Sequence, residues 1–159
     1  MSLICLGVVE SLTSISEKAY YSKKLETIAK HHKRGIRFTI DWSEPIISHI
    51  QDDAFVISIL DCPETDNCEL FLLPDGWYYN GKADHLAFYD RMKLLQDISD
   101  MFIYDKYSIE WYFGLSGILP EEFPTVVLKV ECLTDYLTQT IGIDGADAGL
   151  HIRINPNNL

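Results

Sequence analysis

Five histidines and twenty-four carboxylates give this chain the raw material for proton transfer. Chemistry also needs them in register, and their spacing does not provide it. His49 precedes Asp52 and Asp53 on a stretch long enough only for a short helix, and His85 follows Asp84 at a helix start. Capping and solvent exposure account for both. The segment Gly114-Leu115-Ser116-Gly117 comes nearest to a nucleophile elbow, but it lacks the G-x-S-x-G spacing and the strand-to-helix turn that would strain and present the serine. No glycine-rich run enters a helix as a phosphate cradle requires. The run from Gly142 through Asp144 and Asp147 to Gly149 has the outline of a calcium loop. It lacks the third ligand and the distal glutamate of an EF-hand, so it reads as a surface loop. No C-x-x-C pair or His–Cys cluster offers a zinc site. The expectation is a chain with no catalytic residue, no metal and no cofactor.

The residue pattern points instead to a binding surface. Asp90, Lys93, Asp97, Asp100 and Tyr104 recur at intervals of three and four, on the face of one helix opposite its apolar stripe. Asp97, Asp100 and the following Asp105 sit toward the helix C-terminus, where the dipole disfavours each exposed anion by about 0.3–1 kcal/mol. Lys93 before Asp97 is also the weaker order for a helical ion pair. Charges that do not help their own helix point to a partner or, equally often for surface aspartates, to solubility. Tyr104, Tyr107 and Tyr112 would add aromatic anchors, with Glu110 beside Tyr112 on the outer side of the next strand. Glu121 and Glu122, in a proline-flanked loop, complete the candidate partner-binding set. A second acidic group, Asp61, Glu64, Asp66 and Glu69, reads as a solvated hairpin tip.

Charge is unevenly distributed. Residues 1–37 carry seven Lys or Arg against three Glu, a net of +4, whereas residues 38–159 carry a net of −15 within a total of −11. The phosphates of nucleic acid and of anionic membrane would be repelled by the larger portion, so neither is an expected partner, and a basic protein is. The basic run His31-His32-Lys33-Arg34 suits a helix C-terminus.

The elements that must position these groups follow from periodicity. Residues 3–9 read as a buried strand rather than a signal peptide, since no basic residue precedes them. That reading places the protein in the cytoplasm, and Cys62 and Cys68 are then expected to be reduced thiols despite flanking one turn. Ser14 and Glu17 have capping-box spacing before a helix whose stripe is Tyr21, Leu25, Ile28 and His32. Strands are expected at 36–40, 54–60, 68–73 and 77–79, and a short helix at 46–50. Asp84 caps a long helix with the stripe Phe88, Met92, Leu95, Ile98 and Phe102. Residues 108–113 alternate as a strand, with Ile109, Trp111 and Phe113 on one face and Glu110 and Tyr112 on the other. Residues 125–132 look like a central strand, 133–141 read equally as a helix or as its extension, and 150–154 look like an edge strand. At 159 residues one domain is expected. Its class is α+β, a mostly antiparallel sheet with two substantial helices packed mainly on one face.

In general character, being small, acidic, single-domain and without a motif, the chain resembles the immunity proteins of bacterial polymorphic toxin systems, including those of contact-dependent growth inhibition. That resemblance implies a protein that binds and neutralises a cognate basic toxin domain, such as a nuclease, by blocking its active site. The alternatives are a small hydrolase with an unrecognised carboxylate or His site, and an adaptor subunit of a larger assembly.

Overall fold

The computed structural model describes residues 3–32, 35–39, 53–60, 78–79, 82–83, 85–115, 124–144 and 150–156. The order of elements is β1 (Leu3–Val9), α1 (Ile15–His31), β2 (Gly35–Thr39), β3 (Phe55–Leu60), β4 (Tyr78–Tyr79), β5 (Lys82–Ala83), α2 (His85–Tyr104), β6 (Ile109–Leu115), β7 (Thr125–Leu128), a 3-10 turn (Val130–Cys132), α3 (Leu133–Asp144) and β8 (Leu150–Ile154). Six strands form one sheet in the order β2-β3-β1-β6-β8-β7, and β4 pairs with β5 in a separate small hairpin. Every pair in the large sheet is antiparallel except β7 with β8. The class is α+β, as the strand succession implies.

Two edge assignments differ from the sequence reading. The Thr-Val-Val-Leu run of β7 looks central because β-branched apolar residues suit a strand covered on both faces. It is instead the outermost strand, and the expected continuation to residue 132 breaks into the 3-10 turn. β8, expected at the edge, lies between β6 and β7. The cause is connectivity. Residues 133–141 are helical, and α3 is the crossover of a β7-α3-β8 unit, the kind of link that parallel neighbours require. The expected helix at 46–50 and strand at 68–73 lie outside the described residues, as do Cys62 and Cys68. So does the loop at 116–123, whereas Gly114 and Leu115 end β6. α3 runs on to Asp144, two residues past the glycine expected to open a loop.

Strand alternation gives the sheet two unlike faces. Val9, Phe55, Ile57, Ile109, Trp111, Phe113, Leu150, Ile152 and Ile154 point to one side, where they form a single buried core with α1, α2 and α3. α1 contributes Tyr21, Leu25 and Ala29. α2 contributes Met92, Leu95, Ile98 and Phe102 as its periodicity implies, and also Leu94 and Ile103, because it meets α1 and α3 as well as the sheet. Gly7 is the cross-strand neighbour of Trp111. A β-carbon there would stand 2.8 Å from the indole ring, so the large ring is accommodated by the absence of a side chain opposite it. The indole Nε1 donates to Ser99 Oγ at 2.8 Å, and Ser99 in turn donates to the Leu95 carbonyl at 2.8 Å, which satisfies both polar groups inside the core. No helix among the described residues is long and apolar enough to cross a membrane.

Candidate functional site

The candidate residues fall into two groups on opposite sides of the sheet. The first lies where the end of α2 meets α1. Ser14 accepts from the Glu17 amide at 3.4 Å, half of a capping box. The other half is diverted, because the Glu17 carboxylate accepts a hydrogen bond from the Tyr107 hydroxyl at 2.5 Å. That bond holds the Tyr107 phenol up, to about 12. Tyr21 donates to Asp105 Oδ2 at 2.7 Å, and its ring packs on Phe102 and Tyr107 with centroids 5.0 and 5.6 Å away. At the other end of α1, His32 is buried, and its Nε2 lies 2.8 Å from Asp97 Oδ2. It is a packed histidine, as expected.

The chain turn after α2 fixes this junction. Lys106 adopts φ 70°, the left-handed conformation. The Tyr107 amide donates to the Phe102 carbonyl at 2.9 Å, and the Lys106 amide to the Ile103 carbonyl at 3.0 Å. These are the two bonds of a Schellman motif, and the edge-on contact of Phe102 with Tyr107 supplies its apolar clasp. A glycine usually occupies that left-handed position, so the sequence carries no stop signal there.

Three aspartates that seemed set against the helix dipole each have a partner. Asp97 takes His32, with Lys93 at 3.7 Å; Asp105 takes Tyr21; and Asp100 accepts from Gln96 Nε2 at 2.8 Å. Their placement is therefore explained in part by tertiary structure, and Asp97 is a half-buried tie rather than a free surface charge. Gln96 goes further, bonding the Val130 carbonyl and Thr134 Oγ1, which joins α2 to the start of α3. Asp100 remains exposed, and Tyr104 is 85% exposed. Asp90 lies on α2 with its side chain outside the described residues, and Glu121 and Glu122 lie outside them altogether.

Glu110 and Tyr112 correct the expected surface. They alternate away from the core as predicted, but the sheet separates them from α2, and they are 5% and 1% exposed. Buried as they are, they add no exposed surface to that of Asp100 and Tyr104. Arg153, the cross-strand neighbour of Glu110, donates from Nε at 2.8 Å and from Nη2 at 2.5 Å, both to Oε1. His151 Nε2 stands 3.6 Å from the same oxygen, is buried, and has no hydrogen-bond partner among the described residues. Its ring stacks on Tyr112 at 4.3 Å and 5°, and its Nδ1 lies 3.1 Å from Thr125 Oγ1. Burial alone would push the Glu110 carboxyl up, but His151 and Arg153 together outweigh it and hold Glu110 below the usual carboxylate range. Burial pushes the Tyr112 phenol up, and the Glu110 charge adds to that.

Beside Glu110 is a cavity of about 260 Å³, lined by Val8, Glu10, Ser11, Ser108, Glu110, Arg153 and Asn155. It sits where β1 ends, β6 begins and β8 ends, so three adjacent strands build one rim. Sequence spacing could not reveal it, because Glu10, Glu110 and Arg153 meet only through strand order. The alternation of β6 and β8 was the available signal, since it placed Glu110 and Arg153 off the apolar face. Among the described residues no group of three or more His, Cys, Asp or Glu is placed to hold a metal ion. Compared with known proteins, the chain matches no family model, no curated protein and no solved structure.

Proposed function

We propose that this chain is a binding protein of the immunity type, which covers a basic protein partner, a cognate toxin domain, through the acidic end of α2. The observation that carries the reading is Tyr104, 85% exposed within one turn of the exposed Asp100. A tyrosine held out beside a carboxylate suits a Lys- and Arg-rich surface. The clamps beneath it, Tyr21 to Asp105 and Tyr107 to Glu17, fix the platform before any partner arrives, so little ordering cost remains on binding. The net charge of −15 over residues 38–159 would steer a basic partner toward the protein and make the encounter sensitive to salt. A hydrolase has less support. Glu110 is held ionised by its partners and is a poor proton donor, and His151 is not among the residues that line the cavity.

The test is quantitative capture from the native cell by the tagged full chain, compared with Asp100→Lys, Tyr104→Ala and the double variant. The reading expects one basic protein retained by the wild type, with at least tenfold less in the double variant. Equal retention by all forms, or no basic protein retained by the wild type, would overturn it.

A further inference from the structure

We propose that the cavity beside Glu110 receives a single ammonium or guanidinium group, carried by a lysine or arginine side chain of the basic partner; this rests on the binding reading above. Size limits the occupant first. A volume of about 260 Å³ is below the roughly 300–1,000 Å³ of pockets that take a drug-sized molecule, and it suits one long side chain.

Charge then selects its sign. Among the described residues that line the cavity, two carboxylates, Glu10 and Glu110, face one guanidinium, Arg153, which donates to Glu110 through Nε and Nη2. Glu10 is exposed and makes no hydrogen bond among the described residues; its charge already acts on the Arg153 guanidinium, and its carboxylate oxygens remain open to an incoming N–H donor. An anionic group would meet the Glu10 charge and would share Arg153 with the Glu110 carboxylate. Both guanidinium bonds and the nearby imidazole converge on Oε1 of Glu110, and the Tyr112 hydroxyl also bonds this carboxylate, so Glu110 is largely satisfied and Glu10 is the acidic group left to meet a ligand.

The remaining lining supplies acceptors. Ser108 Oγ donates to Asn155 Oδ1 at 2.9 Å and so keeps its own lone pairs for an N–H donor. Ser11 adds a second hydroxyl at an exposed position. A carboxylate and hydroxyls in a small cavity suit the charged head of a lysine or arginine side chain.

The experiment titrates isotopically labelled full chain with capped arginine amide, capped lysine amide and capped glutamate amide, and follows backbone amide resonances. The two cationic probes are expected to shift Ser11, Ser108 and Asn155 saturably, and the glutamate probe to leave them unmoved. Glu10→Gln, at an exposed position that makes no contact needed for folding, is expected to weaken the cationic probes at least tenfold. No localised shift, equal response to the anionic probe, or unchanged affinity in Glu10→Gln would overturn the assignment. Partner capture separates the two claims. Unchanged capture by Glu10→Gln, with capture lost in Asp100→Lys, removes the cavity from the interface and spares the binding reading. No capture by the wild type overturns that reading, and with it the partner as the source of the cation, whatever the probes do.

Discussion

Replacing Arg153 with methionine tests whether the polar cluster on the second face of the sheet is an electrostatic device or only a packed one. The substitution keeps much of the aliphatic stem and removes both donors to Glu110 Oε1. Breaking one side of a fully buried pair costs about 3–5 kcal/mol, because the remaining charge is left without compensation. The Arg153 side chain is 47% exposed, so water can replace part of what is lost. The expected cost is accordingly about 1–3 kcal/mol at neutral pH. With a urea dependence of roughly 2 kcal/mol per molar, the unfolding midpoint should fall by about 0.5–1.5 M. The pH dependence fixes the cause. Glu110 is held below its ordinary value of 4.5 in the folded protein, so its contribution to stability is present above that value and is lost as pH falls through the lower folded value. In Arg153→Met the burial of Glu110 acts with less opposition, and its carboxyl rises. The defect should therefore be largest near neutrality and shrink in acid, once pH falls below the lowered folded value of the wild type and Glu110 is protonated in wild type and variant alike. The double variant Glu110→Gln/Arg153→Met should recover part of the loss at neutral pH, since no buried charge remains. Urea unfolding at neutral and acid pH provides the measurement. A defect of the same size at both would refute the electrostatic account and make Arg153 a packing residue.

Three further substitutions probe the framework. Gly7→Ala places a methyl group 2.8 Å from the Trp111 ring and should cost about 1–3 kcal/mol in chemical unfolding, with a changed tryptophan emission. Ser99→Ala leaves the buried indole N–H of Trp111 without its acceptor and should cost about 1–3 kcal/mol; a cost under a few tenths would show that another acceptor is in reach. Lys106→Gly relieves a left-handed residue at the end of α2 and should stabilise the protein by roughly 0.5–1 kcal/mol, read as a rise in thermal midpoint.

The sequence made some of this arrangement legible and concealed the rest, for identifiable reasons. Helix periodicity marked Tyr21 and Leu25 on α1, and Met92, Leu95, Ile98 and Phe102 on α2, because each helix has one face that only the core can cover. Strand alternation placed Trp111 and Glu110 on opposite faces. It could not show that the face carrying Glu110 and Tyr112 is itself buried, since alternation gives sidedness and not exposure. Strand order was hidden in the same way. The apolar run of β7 suits a central strand, but the crossover through α3 sets its place at the edge. Local charge rules misjudged Asp97 and Asp105, whose partners, His32 and Tyr21, come from α1, 65 and 84 positions earlier in the chain. The cavity needed the ends of three strands at once, and no window of sequence contains them.

The functional account rests on a charged, pre-set surface meeting a basic partner. Its most direct test is the association rate of the chain with the captured partner as salt rises from about 0.02 to about 0.5 M, for the wild type and for Asp100→Lys. The account predicts a steep fall in the wild-type rate with salt, and a slower, flatter profile for the variant. A rate indifferent to salt, or identical in the two proteins, would contradict it.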